Sequence, residues 1–143
     1  MCWVLYVASD LPLPTISWNP EKPAFNVEAV EGSESPIRGQ FTRRYIYIVG
    51  SHTYCGCGFD RGQANPDHPN ELAEAERSLS SLQSYLRNAL GFCGELELYS
   101  CWDGDQGAEP DHRWVLTPDD IVSTMGWFPD RTYAAVRSTH EPT

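Results

Sequence analysis

The stretch between residues 45 and 102 constrains the fold more than any other part of the chain. Tyr45, Ile46, Tyr47, Ile48 and Val49 form an unbroken β-branched and aromatic run, the composition of an interior strand covered on both faces. Leu72, Ala75, Leu79, Leu82, Leu86, Ala89 and Leu90 then recur at spacings of three and four, which places them on one face of a long helix. Asn70 is the expected N-cap, Glu71 complements the helix dipole, and Gly91 is placed to end the helix in a left-handed conformation. Residues 95–102 set Leu96 and Leu98 on one side of a further strand. Strand, helix and strand in this order predict a right-handed βαβ crossover.

Other elements frame this unit. Residues 3–8 read as a buried first strand, stopped by Ser9, Asp10 and the prolines at 12 and 14. Residues 25–30 alternate apolar and polar, as a half-buried strand does. Short strands are expected at 113–116 and 132–136. Between them Thr117, Pro118, Asp119 and Asp120 make a helix start: a capping threonine, a first-turn proline and two acids near the positive end of the dipole. That helix should be short, ending near Gly126. The expected fold is a single domain over residues 1–143, an α/β or α+β arrangement around a mixed sheet of about five strands. It carries one long amphipathic helix and one short C-terminal helix.

Charge narrows the partners. The net charge is −10, from 20 acidic and 10 basic side chains. Such a chain repels phosphate backbones and anionic lipid, so no nucleic-acid or membrane partner is expected, and a basic protein is the partner open to an interaction domain of this charge. Arg43 and Arg44, an adjacent basic pair at the mouth of a strand, read as solvated edge charge. No run approaches the roughly 18 apolar residues of a membrane span. The apolar opening from Cys2 to Ala8 is short and lacks the basic residues that precede an export signal. The expected compartment is therefore a reducing cytoplasm. There, five cysteines, an odd number, point to metal or redox chemistry before disulfides.

The chemistry-bearing motif directly follows the strand at 45–49. His52, Cys55 and Cys57 lie within six residues, interleaved with Gly50, Gly56 and Gly58. Imidazole nitrogen and thiolate sulfur suit a tetrahedral Zn²⁺ site, and the glycines allow a turn tight enough for the side chains to converge. Cys101, ending a strand that the crossover brings close, is the expected fourth ligand; Cys2, Cys93, His68 and His112 are weaker candidates. A closed set of four would be structural, and three with an open position hydrolytic. A second reading gives the glycines a purely structural turn filled by two small thiols, on an acidic, non-catalytic interaction domain. A third is thiol redox chemistry, disfavoured by the CxC spacing where CxxC is usual.

Weaker patterns fall away. Ser51 and His52, adjacent at a strand end, point to opposite sides and do not make a nucleophile and base. Asp103, Gly104 and Asp105 lack the spacing of a calcium loop. The glycines do not form GxGxxG, and no phosphate-loop lysine follows. Trp102, Trp114, Trp127 and Phe128 read as core or rim packing.

Two blocks also carry a resemblance. Met1 and Cys2, the run Leu5-Tyr6-Val7-Ala8-Ser9-Asp10-Leu11-Pro12-Leu13-Pro14 with Trp18 beyond it, and Gly50-Ser51-His52-x-x-Cys55-Gly56-Cys57-Gly58-Phe59 resemble a set of small uncharacterised bacterial proteins. The resemblance spans about a quarter of the chain. It implies a bacterial cytoplasmic protein, and carries over no activity and no catalytic residue.

Overall fold

β1 (Trp3–Ser9) is apolar on both of its faces and buried along its whole length, so it needs a strand on each side. In the structure, a computed structural model that describes residues 2–31, 35–63, 65–123 and 129–139, it has them. β3 (Tyr45–Gly50) pairs antiparallel with one edge of β1 and β4 (Leu96–Trp102) antiparallel with the other. β2 (Asn26–Ala29) extends the sheet beyond β3. β6 (Thr132–Val136) and β5 (His112–Leu116) extend it beyond β4, giving six strands in the order β2-β3-β1-β4-β6-β5. The fold is α+β: among the described residues, a mixed sheet with one long and one short helix, and one strand more than about five.

The crossover at 45–102 differs from its expected form in one respect. β3 and β4 run in the same direction and are joined by α1 (Pro69–Leu90), but β1 lies between them. The adjacent parallel pair is instead β5 and β6, joined across α2 (Pro118–Ser123). The cysteine motif therefore leaves the carboxyl end of a strand with antiparallel neighbours, one place in from the edge.

α1 buries Ala75, Leu79, Leu82, Leu86 and Ala89 as their spacing requires, with Ser78 and Tyr85 on the same face. Against them stand Trp3, Leu5 and Val7 of β1, Leu96 and Leu98 of β4 and Ile121 of α2. Each fully buried leucine contributes about 1.5–3 kcal/mol, so the helix is held by this face more than by propensity. Leu72, in the first turn, stays exposed, and Leu90 is partly buried. Val4, Tyr6 and Ala8 point to the opposite face and pack with Ile46, Tyr99 and Cys101 under Ile37 and Phe41, which a 3-10 turn at Pro36–Gln40 supplies.

The helix ends need two corrections. Pro69 occupies the first helical position, where its missing N–H costs nothing, so α1 starts before Asn70 and makes no side-chain cap. Gly91 keeps right-handed angles, φ −66° and ψ −22°, because its N–H still reaches Arg87 and Asn88 carbonyls. At α2 the expected cap is present: Thr117 Oγ1 accepts the Asp120 N–H at 3.2 Å, and Asp120 Oδ2 accepts the Thr117 N–H at 2.9 Å. The helix end near Gly126, and Trp127 and Phe128, lie outside the described residues. Among the described residues no helix is long and apolar enough to cross a membrane.

Candidate functional site

β3 stops at Gly50 because the chain folds back on itself there. Ser51 donates its N–H to the Cys55 carbonyl at 3.0 Å, and its hydroxyl reaches the same oxygen at 2.6 Å. Tyr54 closes the turn in the left-handed region, φ +77°, with its N–H on the Ser51 carbonyl. The glycines are required by crowding rather than by φ. A Cβ at Gly50 would sit 2.2 Å from the Tyr54 carbonyl oxygen, and one at Gly58 would sit 2.3 Å from Ser51 Oγ. From the β2 side the turn is pinned by Trp18, whose indole N–H donates to the His52 carbonyl at 3.1 Å. Tyr54 adds its hydroxyl, which donates to Glu28 at 3.0 Å.

A 3-10 turn at Gly56–Phe59 then lays the chain against the start of β1. Phe59 enters the core, and Cys57 packs on its margin. The β1–β3 register ends at Leu5 opposite Val49, so the Trp3 N–H has passed the end of that ladder; it donates to Cys57 Sγ at 3.2 Å. This contact brings Cys2, one residue earlier, to the motif.

Cys55 then has a thiol neighbour on each side, Cys2 and Cys57, without the three converging on one point. Burial pushes the Cys55 thiol up. Hydrogen bonds from the Cys57 N–H, the Thr53 hydroxyl (3.6 Å) and the Cys57 and Cys2 thiols outweigh burial and bring it below its ordinary 9.0. Cys57 moves the other way: burial raises it, the Trp3 N–H opposes, and the neighbouring Cys55 raises it further. Cys2, fully exposed, is raised by its hydrogen bond to Cys55 and by the charge there. These shifts make Cys55 the most acidic of the three thiols.

His52 lines the same pocket as Cys55 and Cys57, but its ring is committed to α1. Ser78 Oγ accepts the His52 backbone N–H at 3.1 Å and stands 3.0 Å from Nδ1; Glu74 lies 3.5 Å from Nε2. Burial lowers the His52 pKa below 6.5, against the pull of Glu74 and with a smaller push from Arg77. Burial is the largest of these influences, and it weakens the Glu74 contact as an ion pair by disfavouring the protonated ring.

The expected fourth ligand is elsewhere. Cys101 is fully buried in the core on the sheet face opposite α1, where burial pushes its thiol up to about 12. The crossover does bring β4 close, but at residue 101 the pleat turns the side chain to the far face. Cys93 is buried beside Ser9, at the other end of β1, about 20 Å of strand away from Trp3. His68 is exposed just before α1, and His112 is exposed on β5 with its ring against Trp114. Among the described residues no three His, Cys, Asp or Glu side chains are grouped to hold a metal ion.

The motif opens on a pocket of about 350 Å³, lined by His52, Thr53, Cys55, Cys57, Gly58 and Ala75 and by three acids, Asp60, Glu71 and Glu74. Sequence reasoning missed these carboxylates, which come from the loop after the motif and the first turns of α1. It also ranked Cys2 low. The signal was present: a strand apolar on both faces belongs at the centre of the sheet, and its first residues must then meet the turn leaving a neighbouring strand. Comparison with protein-family models, curated protein sequences and solved structures returns no match.

Proposed function

We propose that this chain is a thiol-active domain in which Cys55 is the nucleophile for exchange with disulfides and Cys2 or Cys57 supplies the second thiol. The observation that carries this reading is the placement of Cys55: its side chain lines the pocket beside Cys57, with the Thr53 hydroxyl 3.6 Å from its sulfur, and the Trp3–Cys57 contact holds the start of β1 against the turn. A thiolate with polar neighbours is populated closer to neutral pH than a free cysteine, and a second thiol beside it can resolve a mixed disulfide. The pocket gives a substrate access.

The zinc reading on His52, Cys55, Cys57 and Cys101 has less support from these positions. Cys101 lies on the other face of the sheet, and both ring nitrogens of His52 face α1 side chains. A closed tetrahedral site needs four ligands around one point.

The test uses the full chain, purified reduced and without chelator. Titration with a small disulfide, followed by peptide mass analysis, should find the first adduct on Cys55 and then an internal disulfide to Cys2 or Cys57. Cys55→Ala should abolish both. About one zinc per chain, with thiols protected until chelator is added, would replace this reading by the metal one.

A further inference from the structure

The pocket in front of Cys55 has a charge composition that selects among disulfides. Of its nine lining residues three are carboxylates, Asp60, Glu71 and Glu74, and none is a lysine or arginine. Burial holds the histidine in its wall below its ordinary pKa, and Arg77, the nearest cation, lies beside His52 outside the lining. Each carboxylate has a neighbour: Asp60 Oδ1 accepts the Gly62 N–H at 2.9 Å, Glu71 Oε2 accepts the Asn65 N–H at 2.7 Å, and Glu74 lies 3.5 Å from His52 Nε2. The N-terminus of α1 offers about half a positive charge, which three full negative charges outweigh. With the sulfur ionised, the negative count at the mouth rises to four. A site lined by one sign of charge concentrates ligands of the other and slows those of its own.

Resting on the thiol-exchange reading, we infer that the substrate of this pocket is a disulfide bearing an ammonium or guanidinium group close to its sulfur atoms. The volume of about 350 Å³ suits such a group with its linker. In the first step Cys55 sulfur attacks one sulfur of the substrate. A Cys55–substrate S–S bond forms, the substrate S–S bond breaks, and one substrate thiolate leaves. In the second, Cys2 or Cys57, as thiolate, attacks Cys55 sulfur, and the other substrate thiolate leaves. The protein gives up two electrons and two protons to become an internal disulfide, and the substrate disulfide gains them as two thiols. The positive group pairs with the Asp60, Glu71 and Glu74 carboxylates through both steps. Anionic disulfides, including acidic thiol peptides, are turned away.

Three probes of similar size separate the possibilities: cystamine (dication), bis(2-hydroxyethyl) disulfide (neutral) and dithiodiglycolate (dianion). Each rate of Cys55 adduct formation is divided by the rate of the same probe with free 2-mercaptoethanol, which removes intrinsic differences between the disulfides. At about 0.01 M salt, where screening extends ~30 Å, cystamine should lead dithiodiglycolate by about tenfold or more, with the neutral probe between them. At about 1 M, where screening extends only ~3 Å, the lead should collapse. The double substitution Asp60→Asn with Glu74→Gln should shrink the same ratio at low salt, and the salt series on the unaltered protein carries the test if that variant does not fold. Equal normalised rates for the three probes, or a lead for the dianion, would overturn the inference while leaving Cys55 a nucleophile. Failure of every probe to form an adduct on Cys55 would instead sink the thiol-exchange reading, and this inference with it.

Discussion

The backbone N–H of Trp3 donates to Cys57 Sγ at 3.2 Å, across 54 residues of chain. That contact explains why the site exists as a cluster. β1 contributes a donor where the β3 ladder has ended, the CGCG turn contributes an acceptor, and Cys2 is carried along to meet Cys55. Sulfur is a weak acceptor, so the contact positions the turn more than it stabilises the fold.

The crowding at the turn predicts a sharp cost for one added methyl group. In Gly58→Ala the new Cβ would press on Ser51 Oγ at 2.3 Å and His52 Cε1 at 2.8 Å, both in buried or half-buried positions. Neither can retreat without giving up a hydrogen bond, to the Cys55 carbonyl or to Ser78. The expected loss is about 1–3 kcal/mol, read as a lower urea midpoint at unchanged slope. Gly39→Ala, where nothing lies within 4 Å of the new carbon, is the control.

A buried carboxylate far from the site predicts the largest single-residue effect. Glu97 is 2% exposed and accepts the backbone N–H groups of Thr42 and Arg43, each at 2.9 Å, and the Tyr133 hydroxyl at 2.5 Å. Glu97→Ala leaves those donors without an acceptor and should cost about 3–5 kcal/mol. Glu97→Gln keeps the shape and one acceptor oxygen, and should cost less. The exposed pair of Arg87 and Asp119 is the contrast: its removal should change stability by about 0–1 kcal/mol. Equal effects at the two places would show that the Glu97 network contributes nothing beyond a surface pair.

These two predictions also mark what the sequence could and could not reveal. Residues 72–90 declared a helix because one apolar stripe at helical spacing has few other uses, and Leu79, Leu82 and Leu86 are buried accordingly. The strand segments were readable from local pattern, although the sheet was expected to hold about five and holds six among the described residues. Their order was not, because pairing is chosen by which edges remain open once the core has closed. β1 looked like an ordinary first strand, and its insertion between β3 and β4 follows from apolar residues on both faces. From that insertion come the corrections at the site. Cys2 is near and Cys101 is turned away, although 101 was expected from the same β4 strand that the crossover brings close. The role of the glycines was half legible: a tight turn was expected, whereas close approach without positive φ depends on where Ser51, Asn26 and Trp3 sit in the fold.

His52 predicts a pH dependence of stability whose sign follows from burial. Its pKa in the folded chain lies below the ordinary 6.5, so as pH falls the unfolded chain takes up this proton first. The contribution of His52 to stability is full above about 6.5 and is lost as pH falls from there through the lower folded value. His52→Gln removes the titration. Urea unfolding at a series of pH values between about 7 and 5 should give a shallower decline for the variant than for the parent. A steeper decline in the variant would mean that Glu74 outweighs burial and that His52 is charged in the folded state.

Cys55 predicts the opposite kind of profile, in reactivity. Its thiol lies below the ordinary 9.0, while Cys2 and Cys57 lie above it, so one cysteine should alkylate at a pH where its two neighbours remain protonated. Iodoacetamide rates, resolved by peptide mass, should reach half-maximum for Cys55 at lower pH than for a free cysteine peptide. Cys2→Ala removes one of the donors to the Cys55 sulfur and should move that midpoint upward. Because Cys2 is exposed and begins no helix, the substitution should leave the unfolding free energy within about 0.5 kcal/mol of the parent. An upward shift without loss of stability would separate an electrostatic role for Cys2 from a packing one. The same pKa sets the linkage. The Cys55 thiolate adds stability that is present above the unfolded value and is lost as pH falls through the folded one. Cys55→Ser should therefore cost more at pH 9 than at pH 6. If Cys55 alkylates no earlier than a free cysteine, its polar neighbours do not outweigh burial, and the nucleophile must be sought in another thiol.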